Sequence, residues 1–139
     1  MMRVVIDTNV LISAVIKPKS RMGLIIQCLH QSEYTLVFSP EMLEELVEVY
    51  SRPKIQQKYH LDQEALNTIV GVIVTRGDSI VPTTDVNICR DPDDDMLLSL
   101  ALDGHADYIV SGDGGLLSLS PFQGIPIIKP AEFLNILDK

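Results

Sequence analysis

The stretch Arg3-Val4-Val5-Ile6-Asp7-Thr8-Asn9 is the part of the sequence from which the fold can be worked out. It joins a short apolar, β-branched run directly to a carboxylic acid. Such a run is typical of a buried strand in a parallel sheet. Because ligands of these sheets bind beyond the carboxyl ends of the strands, Asp7 stands at a candidate binding edge.

Four further segments have the same character and predict the remaining strands: residues 35–38, 79–81, 108–110 and 125–128. Helical patterns separate them and predict helices over residues 24–30, 40–51, 62–75, 94–103 and 130–137. Prolines in first helical turns and Asp62 as an N-cap support these boundaries. The alternation predicts an α/β fold, with a parallel sheet of about five strands, helices on both faces and right-handed crossovers.

Length and composition predict one cytoplasmic domain, residues 1–139. A chain of 139 residues can bury about two-thirds of its unfolded surface in a single core. Cys28 and Cys89 have neither a C-x-x-C spacing nor a nearby histidine, so we expect no zinc site and no disulfide framework. A reducing cytoplasm fits this cysteine usage, and we expect no secretory segment and no membrane span.

The net charge of −8 argues against a protein that binds nucleic acid with its whole surface. A nuclease is compatible with this charge only if the acids are concentrated at one place, where bound divalent cations would reverse the local field. The distribution of the acids therefore decides between these interpretations.

Acidic residues follow several of the predicted strands. They are Asp7 after the first, Glu41, Glu44, Glu45 and Glu48 after the second, Asp113 after residues 108–110, and Asp91-Pro92-Asp93-Asp94-Asp95 after the long loop that follows residues 79–81. Carboxylates that converge at such an edge repel one another, and a bound cation would remove that repulsion. An all-oxygen donor set suits Mg²⁺ or Mn²⁺, and a metal-activated water acting on a phosphodiester is the natural chemistry.

Each acid also has a purely structural explanation. Asp7 is placed equally well to cap a helix, and capping accounts for one or two of the acids in residues 91–95. It does not account for such a dense run of charge. The glutamates of residues 41–48 form a helical stripe whose default interpretation is a solvated face, and spacing alone does not choose among them.

Other catalytic chemistries find little support. The histidines, His30, His60 and His105, lie near predicted element ends, where surface roles are expected. Ser39 and Ser111 have no histidine positioned to activate them, and no G-x-S-x-G elbow is present. The glycine patterns of nucleotide-binding folds are absent, which argues against an ATPase or a dehydrogenase.

Taken together, these motifs resemble the PIN-domain family. The quoted run from Val4 to Leu11 looks like the opening of a PIN domain, and Asp91 to Asp95, Ala101 and the run from Ala106 to Asp113 look like its second half. Further elements resemble small bacterial and archaeal VapC-like toxins of toxin–antitoxin systems: Ser39-Pro40, Leu46, Arg52-Pro53-Lys54 and Pro130-Ala131-Glu132-Phe133-Leu134. The resemblance implies a three-layer α/β/α fold, dependence on Mg²⁺ or Mn²⁺, and endonucleolytic cleavage of RNA by a metal-activated water.

The resemblance also implies the site residues. Its catalytic and metal-holding acids map onto Asp7, Glu45, Asp95 and Asp113, with Asp91 or Asp94 as substitutes for Asp95. Asn9 and Ser111 match polar positions that orient ligands or waters. Ser111 stands where threonine is common, and Gly114-Gly115 stand where a charged residue is common. Neither departure touches the four acids, so an active enzyme is expected.

Contacts with RNA and with protein partners are less specific in the sequence. The basic clusters supply Lys17, Lys19, Arg21, Arg52 and Lys54 as candidate RNA contacts, although cations at helix C-termini and in turns explain them equally well. The acidic surface supports binding of a basic or amphipathic partner segment near the active edge, as a small antitoxin protein would bind. The family resemblance implies a homodimer.

Two rival functions stay open at this stage. One is a PIN nuclease that processes or repairs nucleic acid; the other is a non-catalytic α/β module that binds a metal or a partner, such as a phosphoacceptor receiver. A receiver needs a lysine after a late strand, and Ser111-Gly112-Asp113 has none. A haloacid-type phosphatase needs an aspartate where Asn9 stands. A small antitoxin gene beside this one would favour the toxin.

Overall fold

β1 (Arg3–Ile6) is the central strand of a five-stranded sheet in which all neighbouring strands run parallel. The computed structural model, which describes residues 1–139, has the strand order β3-β2-β1-β4-β5. The other strands are β2 (Thr35–Phe38), β3 (Gly77–Ser79), β4 (Tyr108–Val110) and β5 (Ile127–Ile128). The predicted α/β class and parallel sheet are confirmed.

Eight helices connect and cover these strands: α1 (Thr8–Ile16), α2 (Gly23–His30), α3 (Pro40–Tyr50), α4 (Pro53–Tyr59), α5 (Gln63–Arg76), α6 (Pro92–Asp103), α7 (Gly114–Leu117) and α8 (Pro130–Ile136). α1 packs against α2 and α3, and α5 packs against both of these, so the four form one layer. α6 packs on β1 and β2. Because the crossover from β3 to β4 runs in the opposite direction along the sheet, right-handedness places α6 on the other face. No helix is both long and apolar enough for a membrane crossing.

The order of the strands reverses between β1 and β4. The chain steps outward from β1 to β3, returns to β4 on the other side of β1, and steps outward again to β5. At such a reversal the loops that leave the two central strands diverge and open a crevice at their carboxyl ends. Asp7 follows β1 and Ser111 follows β4, so the topology itself places both at this crevice.

Three helices were not predicted: α1, α4 and α7. α1 is rich in β-branched residues, which have modest helix propensity, and most of its side chains are buried. It therefore lacks the polar face by which an amphipathic helix is detected. α4 ends at His60, which adopts a left-handed conformation with φ of 52°. α7 spans only 4 residues.

Two strands differ in extent from the prediction. β3 begins two residues earlier than expected because Gly77 pairs with Leu36, at a point where a Cβ atom would lie 2.7 Å from the Phe38 ring. Val81, which was predicted to be in the strand, is 71% exposed. β5 is shorter than predicted because Ile125 forms an antiparallel bridge with Phe122 instead.

The segment between β3 and α6, residues 80–91, has no regular structure but is anchored at several points. Its backbone is held by three polar side chains spaced four residues apart along α6, here termed the α6 stripe: Asp95, Ser99 and Asp103. The Asp103 carboxylate accepts hydrogen bonds from the backbone N–H groups of Thr83 at 2.6 Å and Thr84 at 3.0 Å. The Ser99 hydroxyl donates to the Thr84 carbonyl. Residues 80–91 are therefore a positioned loop.

This anchoring is expected to depend on pH. The Thr84 hydroxyl and the two backbone N–H groups lower the pKa of Asp103 from 3.8 to about 2. A carboxyl whose pKa is depressed by folding stabilises the fold fully above its unfolded value, and this contribution is lost as the pH falls through the folded value. We therefore expect the NMR signals of the Thr83 and Thr84 amides to lose their dispersion between about pH 4 and pH 2.

Asp103→Asn is the matching variant because it retains the shape of the side chain without its charge. It should weaken the same amide contacts at neutral pH. Amide signals that stay unchanged down to about pH 2, and in Asp103→Asn, would contradict the anchoring role.

Candidate active site

Asp7 lies at the carboxyl end of β1 and is 8% exposed. Its backbone N–H donates to the Val110 carbonyl at 2.8 Å, which extends the pairing of β1 with β4. Its side chain caps α1, since Oδ1 accepts from the backbone N–H of Asn9 at 3.2 Å. Oδ2 accepts from the Ser111 hydroxyl at 2.9 Å. Asp7 therefore both caps α1 and lies at the crevice.

Ser111 links Asp7 to Asp113. It is fully buried, and its hydroxyl both donates to Asp7 and accepts from the backbone N–H of Asp113 at 3.0 Å. Asp113 in turn caps α7 by accepting from the N–H of Leu116 at 3.1 Å. One hydroxyl thus sets the relative positions of two acids that lie more than a hundred residues apart in sequence.

A cavity of about 120 Å³ opens beside Asp7 and has no basic residue in its walls. Its volume would hold several waters, each of which occupies about 30 Å³ in the liquid. The exposed Asn9 also lines it. Asp113 shares a neighbouring depression with Asp7 and another with Asp94. The acids of the cavity together with Asp113 are here termed the acidic cluster: Asp7, Glu41, Glu45, Asp91, Asp93, Asp94 and Asp113.

Mutual repulsion within the acidic cluster is visible in two of its members. Partial burial raises the pKa of Glu45, and the carboxylates of Asp93 and Asp7 raise it further. Partial burial also raises the pKa of Asp94, with the largest electrostatic contribution from Asp113. Side chains from β1, α3, α6 and the end of β4 therefore act on one another here. A cation among them would relieve this repulsion.

The structure places Asp95 outside the acidic cluster. Its carboxylate accepts from the backbone N–H groups of Ile88 at 3.0 Å and Cys89 at 2.8 Å, and these bonds lower its pKa. Its side chain lines a different cavity, whereas Asp94 lines the acidic one. Consecutive helical residues point about 100° apart, so only one of the two can face the crevice. The geometry favours Asp94, which the sequence analysis names only as a substitute.

The acidic cluster and the neighbouring Asn9 have the donor chemistry of a magnesium or manganese site, because their side chains offer carboxylate and amide oxygens. No three His, Cys, Asp or Glu side chains lie close enough together to chelate an ion in their present rotamers. Four acids reach the crevice from separate elements: Asp7, Glu45, Asp94 and Asp113. These residues fit a divalent ion that keeps part of its water shell. Magnesium usually retains several waters when only a few carboxylates bind it.

The five predicted RNA-contacting cations lie outside the acidic cavity. Arg52 forms two hydrogen bonds of 2.9 Å with Glu48, and Arg21 donates to the carbonyl of Lys139. The Lys17 ammonium lies 5.9 Å from the centre of the Tyr59 ring. Lys19 and Lys54 are exposed. Contact with RNA at these positions stays a prediction.

Sequence reasoning missed Arg90, an exposed residue that lines the depression shared by Asp94 and Asp113. It stands alone in the sequence and so does not register as a basic cluster. Its position directly before the acidic run is the signal that could have found it. Glu41 and Asp93, which had no individual role in the sequence analysis, also line the acidic cavity. The histidines are all exposed.

Comparison with known families agrees with this geometry. Residues 3–114 match the family described as PIN domain. The chain belongs to the PIN-domain family. PIN domains are generally nucleases, and PIN-domain nucleases typically use divalent metals.

One relative is similar to this PIN-domain protein over nearly its whole length. An uncharacterized protein of Methanocaldococcus jannaschii is 34% identical over 145 residues, which span 99% of this chain and 92% of that protein. The similarity thus extends beyond residue 114, where the family match ends, and includes β5 and α8.

Proposed function

We propose that this PIN domain is an endoribonuclease that requires Mg²⁺ or Mn²⁺ and hydrolyses RNA phosphodiester bonds at the acidic cluster. The observation that supports it most is the convergence of Asp7, Glu45, Asp94 and Asp113 at the reversal point of the sheet. A concentration of acids at this one place reconciles the acidic composition with a nucleic-acid substrate.

The chain's own residues preorganise this site. A divalent cation bound by the four acids would supply an activated water and would neutralise charge on the scissile phosphate. The Ser111 hydroxyl and the N–H of Asn9 hold both oxygens of Asp7 in place. The exposed side chain of Asn9 is available to orient a water or a phosphate oxygen.

The test is cleavage of a mixed RNA pool by the purified protein with Mg²⁺, with Mn²⁺ and with EDTA. We expect cleavage with either metal and none with EDTA. A folded protein that binds Mn²⁺ and leaves the pool intact would narrow the substrate to RNAs outside it. A protein that binds no divalent ion would contradict the assignment of the acidic cluster.

Arg90 is expected to bind a phosphate of the RNA next to the scissile bond. It lines the same depression as Asp94 and Asp113, and a cation there would offset their repulsion of the RNA backbone. Arg90→Ala should weaken RNA binding for all sequences alike and should reduce the salt dependence by about one phosphate contact.

Fluorescence anisotropy over a salt series measures both effects. Arg76→Ala is the matched control because Arg76 lies on α5, where its guanidinium contacts Ser32. An equal loss of affinity in the two variants would rule out a specific role for Arg90.

We further propose that the protein is the toxin of a toxin–antitoxin pair, acting in the cytoplasm as a homodimer. Besides the resemblance, support comes from a depression of about 510 Å³ between α3 and α5. Leu43, Val47 and Val70 form its apolar wall, and Glu44 and Glu48 give it an acidic rim. This pattern suits a basic amphipathic segment of an antitoxin.

Purification from a strain that also expresses the neighbouring gene tests this role, with light scattering to report the oligomeric state. We expect a small basic protein to co-purify with a dimer. If no such protein does so, RNA processing or repair becomes the role of the same catalytic centre, and a monomer would contradict the homodimer.

A further inference from the structure

A second cavity, of about 440 Å³, adjoins the acidic cluster. It lies between the anchored loop, residues 80–91, and the first turns of α3 and α6. Glu41 and Met96 line both this cavity and the acidic one, so the two cavities are adjacent. Its volume falls in the range of sites that enclose small ligands, roughly 300–1,000 Å³.

We propose that this cavity binds a guanine base of the RNA substrate, next to the scissile phosphate. The proposal rests on the proposed function, since it assigns a sequence preference to the same site. Single-stranded RNA is recognised through unstacked bases that enter pockets and form hydrogen bonds along their edges. A pocket directly beside the catalytic acids would receive a nucleotide adjacent to the cleaved bond.

The apolar wall of the cavity suits the flat face of a base. It is made by Val81, Pro82, Val86, Pro92 and Met96. Val81 is 71% exposed and leaves apolar surface open at the cavity. A stacked base would cover that surface.

The charged groups that line the cavity are carboxylates, which accept hydrogen bonds and donate none. The Asp85 carboxylate accepts one bond, from the Asn87 amide at 3.2 Å, and this leaves its second oxygen and the Asn87 carbonyl available. Glu41 contributes another carboxylate. The Ser99 hydroxyl is already committed to the Thr84 carbonyl. These acceptors would repel a phosphate and require a neutral ligand that carries donors.

Guanine is the base that fits this pattern best. Its N1–H and N2 amino groups lie side by side and can donate two parallel hydrogen bonds to one carboxylate. Adenine and cytosine offer an amino donor next to an acceptor nitrogen. Uracil offers one N–H between two carbonyl oxygens, which a carboxylate repels. The cavity therefore distinguishes the four bases by the number of adjacent hydrogen-bond donors that each base presents.

The α6 stripe makes this pocket rigid before RNA binds. Its hydrogen bonds hold the backbone at Thr84 and at Ile88, on either side of Asp85 and Asn87. The loop therefore loses little conformational freedom when a base enters, and preorganisation of this kind favours affinity.

Titration with the four nucleosides, followed by NMR, tests the pocket without hydrolysis. We expect guanosine to shift the amide signals of residues 80–91 and to saturate at the lowest concentration. Asp85→Asn retains an acceptor for Asn87 but loses the charge, so it should weaken guanosine binding about tenfold. Asp138→Asn, the same substitution after α8, should leave it unchanged. Equal affinities for all four nucleosides, or an unchanged affinity in Asp85→Asn, would overturn the proposal.

RNA cleavage separates this proposal from the nuclease function. If guanosine binds as described but the protein binds no divalent ion and cuts no RNA, the pocket is supported and the nuclease is refuted. If RNA is cut without a preference for guanine, or if the preference persists in Asp85→Asn, the pocket is refuted and the nuclease is retained.

Discussion

Asp7→Asn should abolish metal-dependent RNA cleavage, with a loss of at least about a hundredfold in rate, the scale of removing one group that stabilises the transition state directly. The substitution removes the charge that a divalent cation requires from a ligand at the centre of the crevice. It retains the cap, because an asparagine carbonyl can still accept from the N–H of Asn9 or from Ser111. The fold should therefore survive.

Three measurements on the same preparations make this prediction specific. Cleavage rate, Mn²⁺ affinity by calorimetry and thermal unfolding should show loss of the first two without loss of the third. Asp138→Asn provides the matched control, since it removes one exposed carboxylate after α8. Undiminished cleavage in Asp7→Asn would remove the acidic cluster from the mechanism.

Substitutions of the neighbouring aspartates Asp94 and Asp95 of α6 should differ in whether they affect the cleavage rate or the order of the loop. Asp94→Asn should lower the cleavage rate by about a hundredfold and leave thermal stability unchanged or higher, because it removes a carboxylate that is repelled by Asp113 and Asp91. Asp95→Asn should change the cleavage rate much less than Asp94→Asn does. It weakens the bonds to the N–H groups of Ile88 and Cys89 and should affect mainly the order of the loop.

The contrast is read from cleavage rates and from the amide signals of residues 80–91 in both variants. Loss of cleavage in Asp95→Asn with a normal loop, together with normal cleavage in Asp94→Asn, would return Asp95 to the catalytic group.

Much of the fold follows from local pattern. β1, β2 and β4 are apolar runs that are buried on both faces of the sheet. Such runs predict strands from the sequence alone, without information on tertiary packing. α1 cannot be predicted in this way, because its packing between neighbouring helices overrides the weak propensity of its residues. The start of β3 depends on close packing between Gly77 and Phe38, which no local pattern reports.

The site was predictable where a residue directly follows a strand. Asp7 and Asp113 reach the crevice because their strands are neighbours at the reversal of the sheet. Along the run that opens α6, composition offers several equivalent acids. Which of them faces the crevice is decided by the rotational phase of the helix, which begins at Pro92 after the Asp91 cap. The rotational phase of a helix depends on three-dimensional packing. It cannot be predicted from a run of identical residues, because each of them could face the crevice.

The α6 stripe holds the loop through the N–H groups of Thr83, Thr84, Ile88 and Cys89 and the carbonyl of Thr84. The Thr83 and Thr84 hydroxyls add two bonds to Asp103. The Asp85 and Asn87 side chains hydrogen-bond to each other and not to the stripe, whereas Val86 packs against the hydrophobic core. Positions 85 and 87 can therefore change without breaking the hydrogen bonds that anchor the loop. Given the proposed base pocket, we expect related chains that keep the stripe but differ at positions 85 and 87 to prefer a different RNA base.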